Sequence, residues 1–254
     1  MPLKTKHFVI FITIIGFTSC NQGINSPSSI TGKRINITDS IASVDSIDQF
    51  ITPYREHIEE VLDAQLAYNP TNLSKNDGKL NSSIGNLMAD ITYEQSNPIF
   101  NKRTGNNIDF VLLNHGGIRA AMSKGKVSRR TAYEIMPFKN ETYVLELSAE
   151  KVKELISFLA EKQTAHPISK QLQIILNRDS SVKSSTINGK PIEDNRTYFV
   201  ATSDFLATGG DHMNFFKNPI QTIDINYLLR NELIDYFEKV DTIKASTDNR
   251  FIKK

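Results

Sequence analysis

Tryptophan is absent from the 254 residues, and cysteine occurs once, at Cys20. A single thiol forms no disulfide within the chain, so the fold must rest on packing. Histidine is scarce and scattered, at His7, His57, His115, His166 and His212. None stands in an Asp-x-His or Gly-Asn-His-Glu pattern, and Asp211-His212 is adjacent rather than spaced like metal ligands, so neither a metal site nor a catalytic residue is expected in this chain. No apolar run reaches the roughly eighteen residues of a membrane-spanning helix. A surplus of one charge is missing too: of 30 basic residues, Lys4 and Lys6 lie in the first nineteen, and the rest match the 28 acidic residues one for one. Nothing in that balance favours nucleic acid or an anionic membrane surface as a partner.

What is present, 39% apolar and 23% charged residues, is the composition of a globular protein with a sizeable core. The start is different. Lys4, Lys6 and His7 precede an apolar run from Phe8 to Phe17, and Thr18-Ser19 lead into Cys20, which reads as a secretory signal over residues 1–19. The sole cysteine directly after it resembles a bacterial lipobox, although Phe17-Thr18-Ser19 departs from the usual residues. Lipidation at Cys20 and anchorage in the cell envelope, at the outer membrane or its periplasmic face, are therefore expected. Residues 20–49 are rich in Asn, Ser and Thr without periodicity, as in a flexible tether.

Over residues 50–252 strands and helices interleave without a linker or an internal repeat, which predicts one mixed α/β domain with a mixed sheet flanked by helices. Ile51, Tyr54, Ile58, Val61, Leu62 and Leu66 recur at helical spacing and predict a core-packing helix ended by Asn69-Pro70. Ile84, Leu87, Met88 and Ile91 predict a second helix after Ser82. The apolar run Ile108–Leu113 reads as a strand buried on both faces. Further on come a short helix over Ser128–Ile135, a strand over Thr142–Leu147 and a Ser148-capped helix with Val152, Leu155, Ile156 and Leu159 buried. Strands follow at Leu172–Leu176 and Arg196–Ala201, a hairpin over Val182–Ile192 turning at Asn188-Gly189, and a last helix over Ile225–Phe237.

Three loops carry side chains that complement one another. Asn114-His115-Gly116-Gly117-Ile118-Arg119 ends a strand, Met136-Pro137-Phe138-Lys139-Asn140 ends a helix, and Ser203 to Asp211 follows another strand. Phe138 and Phe205 facing one another would clamp a planar base, since stacking on aromatics contributes about 1–3 kcal/mol per base. Asn140 would read the base edge, Asp211 would accept from a ribose diol, and Arg119 suits a phosphate. Gly117 and Gly210 let backbone approach the ligand closely. The same residues also suit a plainer arrangement, with both phenylalanines in the core and Arg119 paired to a surface carboxylate.

These segments, in this order, resemble the C-terminal domain of bacterial and animal 5′-nucleotidases, and Gly85-Asn86-Leu87 is similar to that domain's Gly-Asn-Leu helix. The resemblance implies a substrate-binding domain in which Phe138 and Phe205 sandwich the base, Asn140 touches its edge, Asp211 binds the ribose, and Asn114 and Arg119 face the phosphates. Family members hydrolyse phosphate esters with an N-terminal metallophosphatase domain, for which this chain has no room. It is thus expected to act as the nucleotide-binding subunit of a split hydrolase, without a cofactor of its own, the divalent metals lying on a separate metallophosphatase chain. The alternatives are a surface lipoprotein that captures nucleosides without catalysis, and a domain retained for protein interactions. Two positions depart from the family: Gly78-Lys79-Leu80-Asn81 where phosphate-binding arginines and a glutamate are usual, with Lys79 as the candidate substitute, and Lys170 where a glycine lets the backbone reach the base.

Overall fold

The computed structural model describes residues 29–38 and 40–254. The signal segment, Cys20 and the first part of the tether lie outside them. The chain forms two compact units, Met1–Phe50 and Ile51–Lys254. Residues 29–38 and 40–44 of the first unit contain no helix or strand.

A helix, α1, runs over Asp45–Asp63, and none of its residues is buried. The expected core-packing helix is therefore corrected: Tyr54, Ile58 and Val61 are exposed. The helix also stops at Asp63, short of Leu66, which belongs to a strand, β1 (Gln65–Asn69), that pairs antiparallel with β3 (Gly125–Ser128). Between them lie α2 (Ser83–Thr104) and the short β2 (Phe110–Val111). Ser82 caps α2 by accepting the Gly85 N–H, and Gly105 ends it at φ 76°. The helix runs thirteen residues past Ile91 and through Pro98. Residues 83–92 are buried almost all round, so polar Asn86 and Thr92 sit inside, as does Gln95 further on, where helical periodicity gives no signal.

After β3 come α3 (Arg129–Ile135), β4 (Glu141–Ser148), α4 (Ala149–Lys162), β5 (Leu172–Leu176), β6 (Val182–Ile187) and β7 (Lys190–Pro191). Asn188 and Gly189, both at positive φ, close the β6–β7 hairpin. The last elements are β8 (Thr197–Ser203), α5 (Asp204–Ala207), β9 (Gln221–Leu228), α6 (Leu229–Lys239) and β10 (Phe251–Lys253). The final helix thus begins at Leu229, not Ile225. Gln221–Leu228 pairs antiparallel with β4, and cross-strand bonding decides a segment whose apolar residues fit either period.

The strands divide into three sheets rather than one: β1-β3, β10-β5-β6-β7 and β2-β8-β4-β9. Both larger sheets are mixed, with β2 parallel to β8 and β10 parallel to β5. Alternation along the central sheet feeds two cores. Val111, Val144 and Ala201 pack with α2 and α6, whereas Leu112, Leu145 and Val200 pack with Val152, Leu155 and Leu159 of α4. Leu155 is fully buried, and its truncation to alanine would cost about 2–5 kcal/mol.

Candidate functional site

Strand direction decides where the three loops meet. Phe110 lies opposite Val200 and Val111 opposite Ala201 in the parallel β2–β8 pair, so both strands end at the same sheet edge. β4 runs antiparallel to β8, with Thr142 opposite Ser203, which brings its N-terminal end to that edge. Hence the segment after β2, the segment before β4 and the segment after β8 converge, where ligands collect in α/β sheets.

Asn114, Gly117, Arg119, Phe138, Asn140, Phe205 and Asp211 line one open cleft of about 510 Å³ there. Phe138 and Phe205 are 44% and 45% exposed, whereas Phe100, Phe110 and Phe216 are fully buried, so these two are not core phenylalanines. Gly210 lies against Phe205: a Cβ added there would come within 2.5 Å of the ring. A Cβ on Gly117 would come within 2.8 Å of Asn114 Oδ1. Both positions require glycine because a neighbouring side chain occupies the space.

Asp211 adopts a left-handed conformation, φ 52°, and its Oδ2 accepts from Asn114 Nδ2 at 2.6 Å. Its other oxygen has no protein partner among the described residues. Asn140 Nδ2 donates to Asp204 Oδ1 at 2.6 Å. Arg119 donates from a terminal guanidinium nitrogen to Gly116 O at 3.3 Å, and its guanidinium lies 5.8 Å from the Phe138 ring centre. It makes no ion pair among the described residues, so the surface-carboxylate arrangement does not hold.

Several residues that the loops alone did not suggest support the cleft. Gly116 and Lys139 also line it. Lys75 Nζ donates to Ile118 O at 2.8 Å, and its charge, after burial, is a cause of the lowered pKa of His115. Buried His166 accepts the His115 N–H on Nδ1 at 3.2 Å. Burial and then His115 push the His166 pKa down to about 4, against the opposing field of Asp211, which keeps that nitrogen an acceptor at neutral pH. Arg230 donates to the carbonyls of Pro137 and Phe138 at 3.2 and 3.4 Å while stacking 4.1 Å from the Tyr133 ring centre. Lys75, His166 and Arg230 come from distant segments, so only their closeness in space reveals them.

The two departures resolve differently. Lys79 lines a separate cleft with Thr247 and Phe251, so the lysine that reaches the Asn114–Arg119 loop is Lys75. Lys170 does not line the 510 Å³ cleft; its N–H bonds Asp90 Oδ1, and it lines a different cleft together with Asp90 and Arg250. Asn81 is structural, donating to the carbonyls of Asp248 and Phe251.

The 5′-nucleotidase C-terminal domain model matches residues 60–218, more than half of the chain. The chain belongs to that family. Protein UshA of Yersinia enterocolitica is 24% identical over 224 residues, which are 85% of this chain and 38% of that protein. A 5′-nucleotidase of Vibrio vulnificus is 25% identical over 87% of this chain and 40% of its own length. Among solved structures, the 5′-nucleotidase precursor of Thermus thermophilus superposes with a TM-score of 0.66 at 20% identity, over 82% of this chain and 43% of its own. The chain thus spans about two-fifths of the length of these relatives. Among the described residues no group of three or more His, Cys, Asp or Glu could hold a metal ion. No helix among them is long and apolar enough to cross a membrane.

Proposed function

We propose that this chain is the nucleotide-binding part of a split 5′-nucleotidase-like phosphoester hydrolase. Phe138 and Phe205 hold the base, Asn140 reads its edge, Asp211 binds the ribose diol, and Arg119 with Asn114 faces the phosphates. Gly117 and Gly210 leave space for the Asn114 and Phe205 side chains that form the site. A separate metallophosphatase chain, carrying the divalent metals, would perform hydrolysis on the exposed phosphate, and lipid on Cys20 would hold the exported protein at the membrane.

The observation that supports this reading is the meeting of two half-exposed phenyl rings, a carboxamide, a carboxylate and an unpaired guanidinium around one cleft. Such a set matches each part of a nucleotide with a group of suitable chemistry.

Incubating the full chain with AMP and Mn²⁺, with and without a candidate metallophosphatase, tests it. Phosphate release is expected only with the partner, and Phe138→Ala and Phe205→Ala should each weaken AMP binding by about 1–3 kcal/mol. Release by this chain alone, or no gain from any partner, counts against a split enzyme.

A further inference from the structure

Resting on the nucleoside reading of the cleft, we propose that Asp204 fixes the polarity of Asn140, so that the site selects bases bearing an exocyclic amino group over bases with a carbonyl at the same position. Asp204 Oδ1 accepts from Asn140 Nδ2 at 2.6 Å and from the Phe205 N–H at 2.7 Å. An ionised carboxylate only accepts, so the Asn140 amide must turn its NH₂ towards Asp204. Its carbonyl oxygen is thereby directed away from Asp204.

The residue has little freedom to respond otherwise. Asn140 O accepts the Leu229 N–H at 3.0 Å, which pins its backbone to the start of α6. Asn140 lines the cleft with both phenyl rings, so the edge of a stacked base lies within its reach. A base amino group would donate to Asn140 Oδ1. A base carbonyl in the same place would oppose lone pair to lone pair, and flipping the amide to relieve this would set Oδ1 against the Asp204 carboxylate. Lys139, which also lines the cleft, is solvent-exposed, and its ammonium on a flexible four-carbon stem holds no fixed geometry at a base edge.

Calorimetry on the full chain with adenosine against inosine, and cytidine against uridine, reads the effect directly. In each pair the amino-bearing nucleoside should bind about tenfold tighter or more. Asp204→Asn offers Asn140 both a donor and an acceptor, and the preference should then fall to about twofold or less; Asn140→Ala should abolish it likewise. Equal binding within both pairs by the unaltered chain overturns this inference while leaving the nucleoside reading in place. Failure to bind any nucleoside overturns both. Full preference retained in a folded Asp204→Asn variant removes Asp204 as its cause, and if that variant does not fold, retention in Asn140→Ala overturns the proposal.

Discussion

Asn114 Nδ2 and Asp211 Oδ2 lie 2.6 Å apart, a hydrogen bond between residues 97 positions apart in the chain. It joins the loop after β2 to the loop after β8. The bond also holds the left-handed Asp211 with one oxygen still open to the cleft, so the residue expected to bind ribose is positioned before any ligand arrives.

That geometry predicts how the sugar is read. Asp211→Ala should lower adenosine affinity by about tenfold, equivalent to about 1.4 kcal/mol. The loss should vanish with 2′,3′-dideoxyadenosine, which has no diol to donate. Asn114→Ala should give a smaller loss that does not add to that of Asp211→Ala, because both remove one arrangement. Titration of the two single variants and the double variant with both ligands checks this.

Lys75 and Lys79 should behave differently at the phosphate end. Lys75 reaches the Asn114–Arg119 loop through Ile118 O, whereas Lys79 lies in another cleft. Lys75→Met should shrink the advantage of AMP over adenosine several-fold by removing a nearby positive charge, more so at low salt. Lys79→Met should leave the ratio unchanged. Competition binding at two ionic strengths distinguishes them.

Arg230 is 7% exposed, pairs with no carboxylate among the described residues, and leaves Nε without a partner. Its anchors are two carbonyls of the Phe138 loop and the Tyr133 ring. Arg230→Lys should therefore fail as a conservative change, losing the fork and the stacking together. A stability loss of about 1–3 kcal/mol is expected in urea unfolding, with weaker nucleoside binding as the Phe138 wall loosens.

Glu232 is fully buried; Oε1 accepts from Ser96 and Thr142, and Oε2 has no partner. Burial pushes its pKa up to about 7, against the hydrogen bonds that lower it. The folded state therefore binds this proton more tightly than the unfolded state does. The resulting stability is fully present below the unfolded value near 4.5 and is lost as pH rises through 7, on the order of 3 kcal/mol in all. Glu232→Gln should flatten this slope, making the variant relatively more stable at pH 8 than at pH 5. Thermal melts across that range measure it.

Much of the architecture was legible where local signals agreed. Ser148, with Val152, Leu155, Ile156 and Leu159, specified α4 by a cap and a stripe that fall on the same helix. Asn188-Gly189 specified a hairpin because few other residues tolerate positive φ at both positions. The stripe from Ile51 to Val61 was equally periodic, yet α1 buries none of it, since periodicity reports a helix and not what covers it. Ile225 and Tyr227 fitted a helix until pairing with β4 claimed the segment as strand.

The cleft divides along the same line. Residue types alone determined which loops hold aromatic, carboxylate, carboxamide and guanidinium groups, because each chemistry belongs to a side chain wherever it sits. Their meeting at one sheet edge was decided by the parallel β2–β8 pair and the antiparallel β4. Tertiary structure likewise chose Lys75 over Lys79 and set Asp204 against Asn140. Local spacing carries no record of such pairings, since contacts between residues far apart in the chain form only when sheet and helices pack.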